Sequence, residues 1–119
     1  MSNTRRHAKL MEIAFRTKTL RGVCLNGDAM DDRYGPERAA LLRRCLADLR
    51  AAATLGEVPL LATEADVNSL GSDVSFGLGK GVSISVSAGH KKPPRLPGGA
   101  IDWPQVERVV IERVDLRDE

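Results

Sequence analysis

The chain reads as an α+β protein, with helices packed on one face of a small antiparallel sheet, and three patterns carry that reading. Near the start, Met11, Ile13 and Phe15 alternate with Glu12, Ala14 and Arg16, the period-two signature of a half-buried strand. In the middle, Leu41, Leu42, Cys45, Leu46, Leu49, Ala52 and Ala53 recur at spacings of one, three and four, which makes an apolar stripe along a helix. After it, Val74, Phe76 and Leu78, then Val82, Ile84 and Val86, alternate with small residues on either side of Gly79-Lys80-Gly81, as in an antiparallel hairpin. A strand, then helices, then strands is the α+β order.

Residues 1–10 are polar, basic and without periodicity, and are expected to form a flexible arm ahead of a single domain over 11–119. After the first strand, Thr17 is placed to cap a helix running to about Asn26, with Leu20, Val23 and Cys24 on one face. Asn26-Gly27-Asp28 breaks it, with Gly27 as the terminating residue and Asp28 as the cap of a short helix from Ala29 to Tyr34. Gly35 ends that piece, and Pro36 suits the first position of the long helix, where its missing N–H has no intrahelical partner anyway. Thr54-Leu55-Gly56-Glu57 has capping-box spacing for one more turn before Pro59. Leu60 to Leu70 fits neither period and is expected to be an irregular crossing. Beyond the hairpin, Ala88 to Gly99 is a proline-containing loop, Asp102 is placed to cap a turn, Trp103 is a packing anchor, and Val106 to Leu116 is the last strand.

A length of 119 residues suits one core, and with 42% apolar but 3% aromatic residues that core has to be aliphatic. No apolar run approaches the roughly 20 residues that span a bilayer, and the N-terminus has no apolar signal region, so a cytoplasmic location is expected. Cys24 and Cys45 sit at apolar helix positions without CxxC spacing and read as reduced core residues; no metal and no cofactor is expected. The 18 basic and 16 acidic residues nearly cancel, so any polyanion-binding surface must come from clustering.

Two clusters qualify. The outer face of the long helix carries Arg38, Arg43, Arg44 and Arg50 with Asp48, and His90-Lys91-Lys92 with Arg95 places four basic residues in six positions. Such cations neutralise phosphates by releasing counterions, or simply keep a loop solvated. Lys80 lacks the strand, loop and helix context of a nucleotide-binding P-loop, yet a lysine at a glycine-flanked tip can reach a phosphate. His90 can titrate near neutral pH, but no Ser/His/Asp set or carboxylate pair supports hydrolysis, so the residues by themselves favour a binding surface over an enzyme.

From Met11 to about Leu116 the chain resembles the plasmid-maintenance killer branch of the RelE/HigB toxin superfamily. Met11-Glu12-Ile13-Ala14-Phe15-Arg16-Thr17-Lys18 is similar to its opening strand and helix start, and Arg33-Tyr34-Gly35 with Ala40 to Ala52 to its long second helix. Pro97-Gly98-Gly99-Ala100-Ile101-Asp102-Trp103 is similar to its Gly-Gly-aliphatic-Asp-Trp turn before the last strand. All three are fold markers. The departures fall where activity would lie: Gly79-Lys80-Gly81 replaces a His-Pro-Tyr-Arg-like turn, Leu70-Gly71-Ser72-Asp73 shortens a basic loop, Asn68 or a neighbour stands where many relatives have histidine, and Asp115-Leu116-Arg117 replaces an Asp-Tyr-His ending.

The resemblance implies a toxin-fold component of a type II toxin–antitoxin system. It implies a cognate helix-turn-helix antitoxin, operator DNA reached through that antitoxin, and, for an active member, mRNA on the ribosome. In an active member the RNA 2′-hydroxyl attacks the adjacent phosphate, which requires a proton acceptor, a proton donor and cations. Lys80, Asp115, Arg117 and His90 are the residues available for those roles, and Arg43, Arg44, Arg50, Lys91, Lys92 and Arg95 for nucleic-acid binding. The missing Tyr/His ending favours a non-catalytic member that binds an antitoxin or a nucleic acid; a stand-alone fold with none of these partners is the third option.

Overall fold

The computed structural model of the protein describes residues 10–59, 65–68 and 71–117. Apart from Leu10, the expected N-terminal arm lies outside them. Strand β1 (Glu12–Phe15) leads directly into helix α1 (Lys18–Cys24), because the Thr17 hydroxyl accepts the Leu20 amide at 3.0 Å and caps the first turn. Helix α2 spans Gly27–Tyr34, and its cap is Asn26, whose Oδ1 accepts the Ala29 amide at 3.1 Å. This corrects the expected break at Gly27 with Asp28 as cap. Two residues, Leu25 and Asn26, separate the two helices, and the Asn26 side chain, directly before the first turn, reaches the free amides.

Gly35 has φ +86°, a conformation that glycine adopts without strain, and it turns the chain sharply into helix α3 (Pro36–Ala51) with Pro36 at its first position. The 16 residues make a rod of roughly 24 Å at ~1.5 Å per residue. Ala39, Leu42, Cys45, Leu46 and Leu49 form its buried face, and Ala52 is buried just beyond its end. Leu41, expected in the stripe, lies at its margin and is only partly buried. A short 3-10 turn follows at Leu55–Glu57. The expected capping box does not form: Thr54 makes no side-chain cap bond, and Glu57 Oε1 accepts the amide of Ala53, one residue before the cap, at 2.9 Å.

Strand β2 (Ala65–Val67) lies inside the stretch expected to be an irregular crossing. Three residues are too few to display a period, and β2 is recognisable through its antiparallel pairing with β3 (Asp73–Gly79). Strand β4 (Val82–Ala88) completes the expected hairpin, and β5 (Arg108–Leu116) follows a 3-10 turn at Trp103–Gln105. Asp102 precedes that turn without a side-chain cap; its carbonyl accepts the Gln105 amide at 2.9 Å.

The protein is thus α+β, with three helices and a five-stranded sheet in the order β1-β5-β4-β3-β2 among the described residues. The expected all-antiparallel sheet needs one correction: β1 pairs with β5 in parallel, Ile13 opposite Val109 and Phe15 opposite Ile111. Apolar alternation specifies which face a residue takes but not the direction of its neighbour, and the intervening elements supply the long crossover that a parallel pair needs. Val74, Phe76, Ile84, Val86, Val109 and Ile111 point into one core with Leu42, Leu46, Leu49 and Met30. Burying each such side chain is worth roughly 1.5–3 kcal/mol. Trp103 is 7% exposed and packs in this core, as its anchor role required. No helix among the described residues is long and apolar enough to cross a membrane.

Candidate functional site

The tip of the β3–β4 hairpin is built from three successive residues at positive φ: Gly79 at +96°, Lys80 at +54° and Gly81 at +76°. Flanking glycines let the turn reverse tightly and leave Lys80 exposed at its apex. The tip is tied down from two sides. Arg38 Nε, on the first turn of α3, donates to the Lys80 carbonyl at 2.8 Å, and its Nη2 donates to the Arg117 carbonyl at 3.3 Å. The Arg117 amide donates to the Gly81 carbonyl at 2.7 Å, and a Cβ on Gly81 would lie 2.1 Å from the Arg117 carbonyl oxygen. Helix α3, the hairpin tip and the end of β5 are therefore locked into one unit.

Two open clefts border this unit. One, of about 320 Å³, is lined by Tyr34, Glu37, Arg38 and Lys80; the other, of about 430 Å³, by Leu41, Arg44, Cys45, Asp48 and the Gly77–Gly79 edge of β3. Arg38, Arg44, Lys80 and Arg117 thus share one end of the molecule, and among the described residues none of the four is in an ion pair. Arg38 belongs to this site although the sequence did not single it out from its helix face. The available signal was its helical spacing, since positions 38, 41, 44, 45 and 48 lie along one side of α3. Cys45 in this wall is a free thiol that burial, reinforced by Asp48, pushes up to about 12, so it stays protonated and unreactive. Cys24 is likewise free and buried, with its thiol pushed up by burial.

The sheet face turned away from the helices has the opposite character. Its centre carries Ser75, Ser83, Ser85 and Ser87, and the Ser75 and Ser85 hydroxyls bond at 2.8 Å. The register of β4 against β5 shifts between Ser85–Arg113 and Val86–Ile111, a bulge that turns both Glu112 and Arg113 to this face. Arg16 donates to both oxygens of Glu112 at 2.9 and 2.6 Å, and Ser87 Oγ donates to Glu112 Oε2 at 2.5 Å. The Arg16 hydrogen bond, against the opposing effect of burial, holds the Glu112 carboxyl below the usual carboxylate range, while Glu112 raises the Arg16 guanidinium. Arg108 pairs with Glu12 at 3.5 Å. Arg113 bonds Asp115 at 3.0 Å and reaches across β4 to Asp73 at 3.5 Å. Arg16, Arg108 and Arg113 on this face therefore each have a carboxylate partner.

The four residues considered for catalysis are not brought together. Lys80 and Arg117 meet at the hairpin end, whereas Asp115 lies on the open face against Arg113. His90 sits beyond the far end of β4, a distance of roughly 20 Å from Lys80 at ~3.3 Å per strand residue. There its Nε2 accepts the Glu107 and Arg108 amides at 2.9 and 3.2 Å, which pins the loop to the start of β5.

The nucleic-acid set divides three ways. Arg44 stays at the hairpin end. Arg43, the next residue but about 100° round the helix, turns to α2 and pairs with Asp31 at 3.0 Å, and Arg50 lines a cleft beside β1. Lys91 and Lys92 are exposed in the far loop, where Arg95 Nη1 donates to the Gly99 carbonyl at 2.7 Å and closes the turn. No group of three or more His, Cys, Asp or Glu able to hold a metal occurs among the described residues. No family model matches the chain, and no curated protein or solved structure proves similar to it.

Proposed function

We propose that this is a RelE/HigB-like toxin-fold protein that binds the sugar-phosphate backbone of a nucleic acid through its hairpin end and does not cut it. One observation carries the reading: Arg38, Arg44, Lys80 and the Arg117 backbone lie at one end of the molecule with none of these cations in an ion pair among the described residues, while Asp115 is held by Arg113 and His90 stands beyond the far end of β4. Cations alone position and neutralise a phosphate; a 2′-hydroxyl attack also needs a proton acceptor at the same phosphate. Of the candidate proton carriers, His90 stands beyond the far end of β4 and Asp115 is bonded to Arg113 on the open face.

Element order adds support, since an opening strand, helices and then a hairpin with a final strand is the order the resemblance implies. A helix-turn-helix antitoxin, with operator DNA behind it, is the partner that follows from the same reading; mRNA on the ribosome is the partner of the nuclease version. Induced expression separates the two. The binding reading expects normal growth and full-length transcripts, together with salt-dependent binding of a fluorescein-labelled single-stranded RNA that Lys80→Ala and Arg44→Ala weaken. Growth arrest with cut transcripts, abolished by Lys80→Ala or Asp115→Ala, would overturn it in favour of the endonuclease.

A further inference from the structure

A different part of the molecule carries a second interaction surface, independent of the nucleic-acid reading. Strand β1 is the edge of the sheet, with β5 as its one strand neighbour among the described residues. The Glu12 amide donates to the Glu107 carbonyl at 3.0 Å and the Arg16 amide to the Ile111 carbonyl at 2.9 Å. In a parallel ladder this turns the backbone groups of alternate residues 12, 14 and 16 toward β5, so those of Ile13 and Phe15 project outward from the sheet. Beneath that edge, on the helix side, runs an open cleft of about 400 Å³ whose lining includes Leu10, Ile13, Phe15, Leu25, Arg21 and Arg50.

Three properties of the cleft select its occupant. Leu10 is 58% and Leu25 51% exposed, so apolar surface lies uncovered beside open strand groups. Among the described residues no carboxylate lines the cleft, and neither Arg21 nor Arg50 is in an ion pair. Leu25 and Arg50 also line the adjoining cleft with Met30 and Leu46, which extends the apolar floor toward α2. A basic rim over an apolar floor complements a segment that alternates acidic and apolar residues.

We infer that this edge binds an extended acidic segment of a partner protein, which adds a short strand to β1, seats its apolar side chains in the cleft and sets its carboxylates against Arg21 and Arg50. The strand edge supplies main-chain hydrogen bonds, and the cleft and its arginines supply selectivity. Because β1 has four residues, the added pairing is brief and most of the discrimination rests on charge and the leucines.

The test uses the full chain and a fluorescein-labelled eight-residue peptide alternating Glu with Val and Leu, beside a counterpart with Lys for Glu. Anisotropy should show saturable binding of the acidic peptide, at least tenfold weaker in the Arg21→Glu/Arg50→Glu double variant. The double variant should in turn bind the Lys peptide, which also shows that it is folded. Equal binding of the two peptides by the unaltered chain, or indifference to the double variant, would overturn the inference. Hydrogen exchange of the free chain tests the other occupants. Fast exchange at Ile13 and Phe15 that slows with acidic peptide supports the inference. Slow exchange in the free chain would overturn it, giving the edge to a second copy if protection rises with concentration and to the chain's own N-terminal segment if it does not.

Discussion

The open sheet face and the hairpin end both contain arginines next to strand β5, yet they have opposite electrostatics. On the open face Arg16, Arg108 and Arg113 are matched by Glu112, Glu12, Asp73 and Asp115, so the cations are already neutralised by the chain itself. At the hairpin end Arg38 donates to neutral carbonyls, and Arg44, Lys80 and Arg117 have no ion-pair partner among the described residues. A guanidinium bound to a carbonyl keeps its full charge available to an outside anion; one bound to a carboxylate does not. The difference teaches that counting basic residues locates neither surface, because the partner of each cation decides whether its field reaches solvent.

The largest expected effect comes from breaking the hairpin end at its anchor. Gly81→Val places a branched side chain at φ +76° with its Cβ against the Arg117 carbonyl, and should lower stability by about 2 kcal/mol or more, read as a fall in the urea midpoint. RNA binding should fall with it. Lys80→Ala leaves the backbone anchors in place and should instead weaken binding with little change in the urea midpoint. The slope of log K against log salt should lose about 1, as for one phosphate contact.

The matched change on the other face, Arg113→Ala, is expected to leave that slope unaltered, since Arg113 is occupied by Asp115 and Asp73. A loss equal to that of Lys80→Ala would erase the distinction between the two regions. The smallest effect concerns Glu112. Its folded pKa is depressed, so its contribution to stability is fully present above the unfolded carboxylate range and is lost as pH falls through the folded value. Urea midpoints of Glu112→Gln and the unaltered chain should therefore differ at pH 7 and converge under acid. Their remaining apart in acid would show that packing, not the Arg16 pair, distinguishes them.

Much of this architecture is legible in local patterns. Thr17 as a cap, Gly35-Pro36 as a helix boundary, the alternating hairpin and Trp103 as an anchor follow from side-chain chemistry acting within a few residues. The candidate site is legible only in part. Lys80 and Arg117 can be named as cations from sequence, but their meeting depends on the Arg38 side chain reaching both carbonyls, contacts spanning 42 and 79 positions. Arg43 and Arg44 look equivalent as neighbours, although about 100° of helical rotation gives one to Asp31 and the other to the hairpin cleft.

Residue chemistry and periodicity alone determined the α+β class, the hairpin, the long helix and the identity of the cations, because caps, turns and apolar periods act over short stretches of chain. Tertiary structure decided that β1 runs parallel to β5, that Ala65–Val67 is a strand, that His90 and Lys80 stand at opposite ends of β4, and which arginines keep their charge free. Those outcomes rest on pairing and ion contacts between residues far apart in sequence, and neither strand direction nor the partner of a charge is encoded in the period of the residues around it.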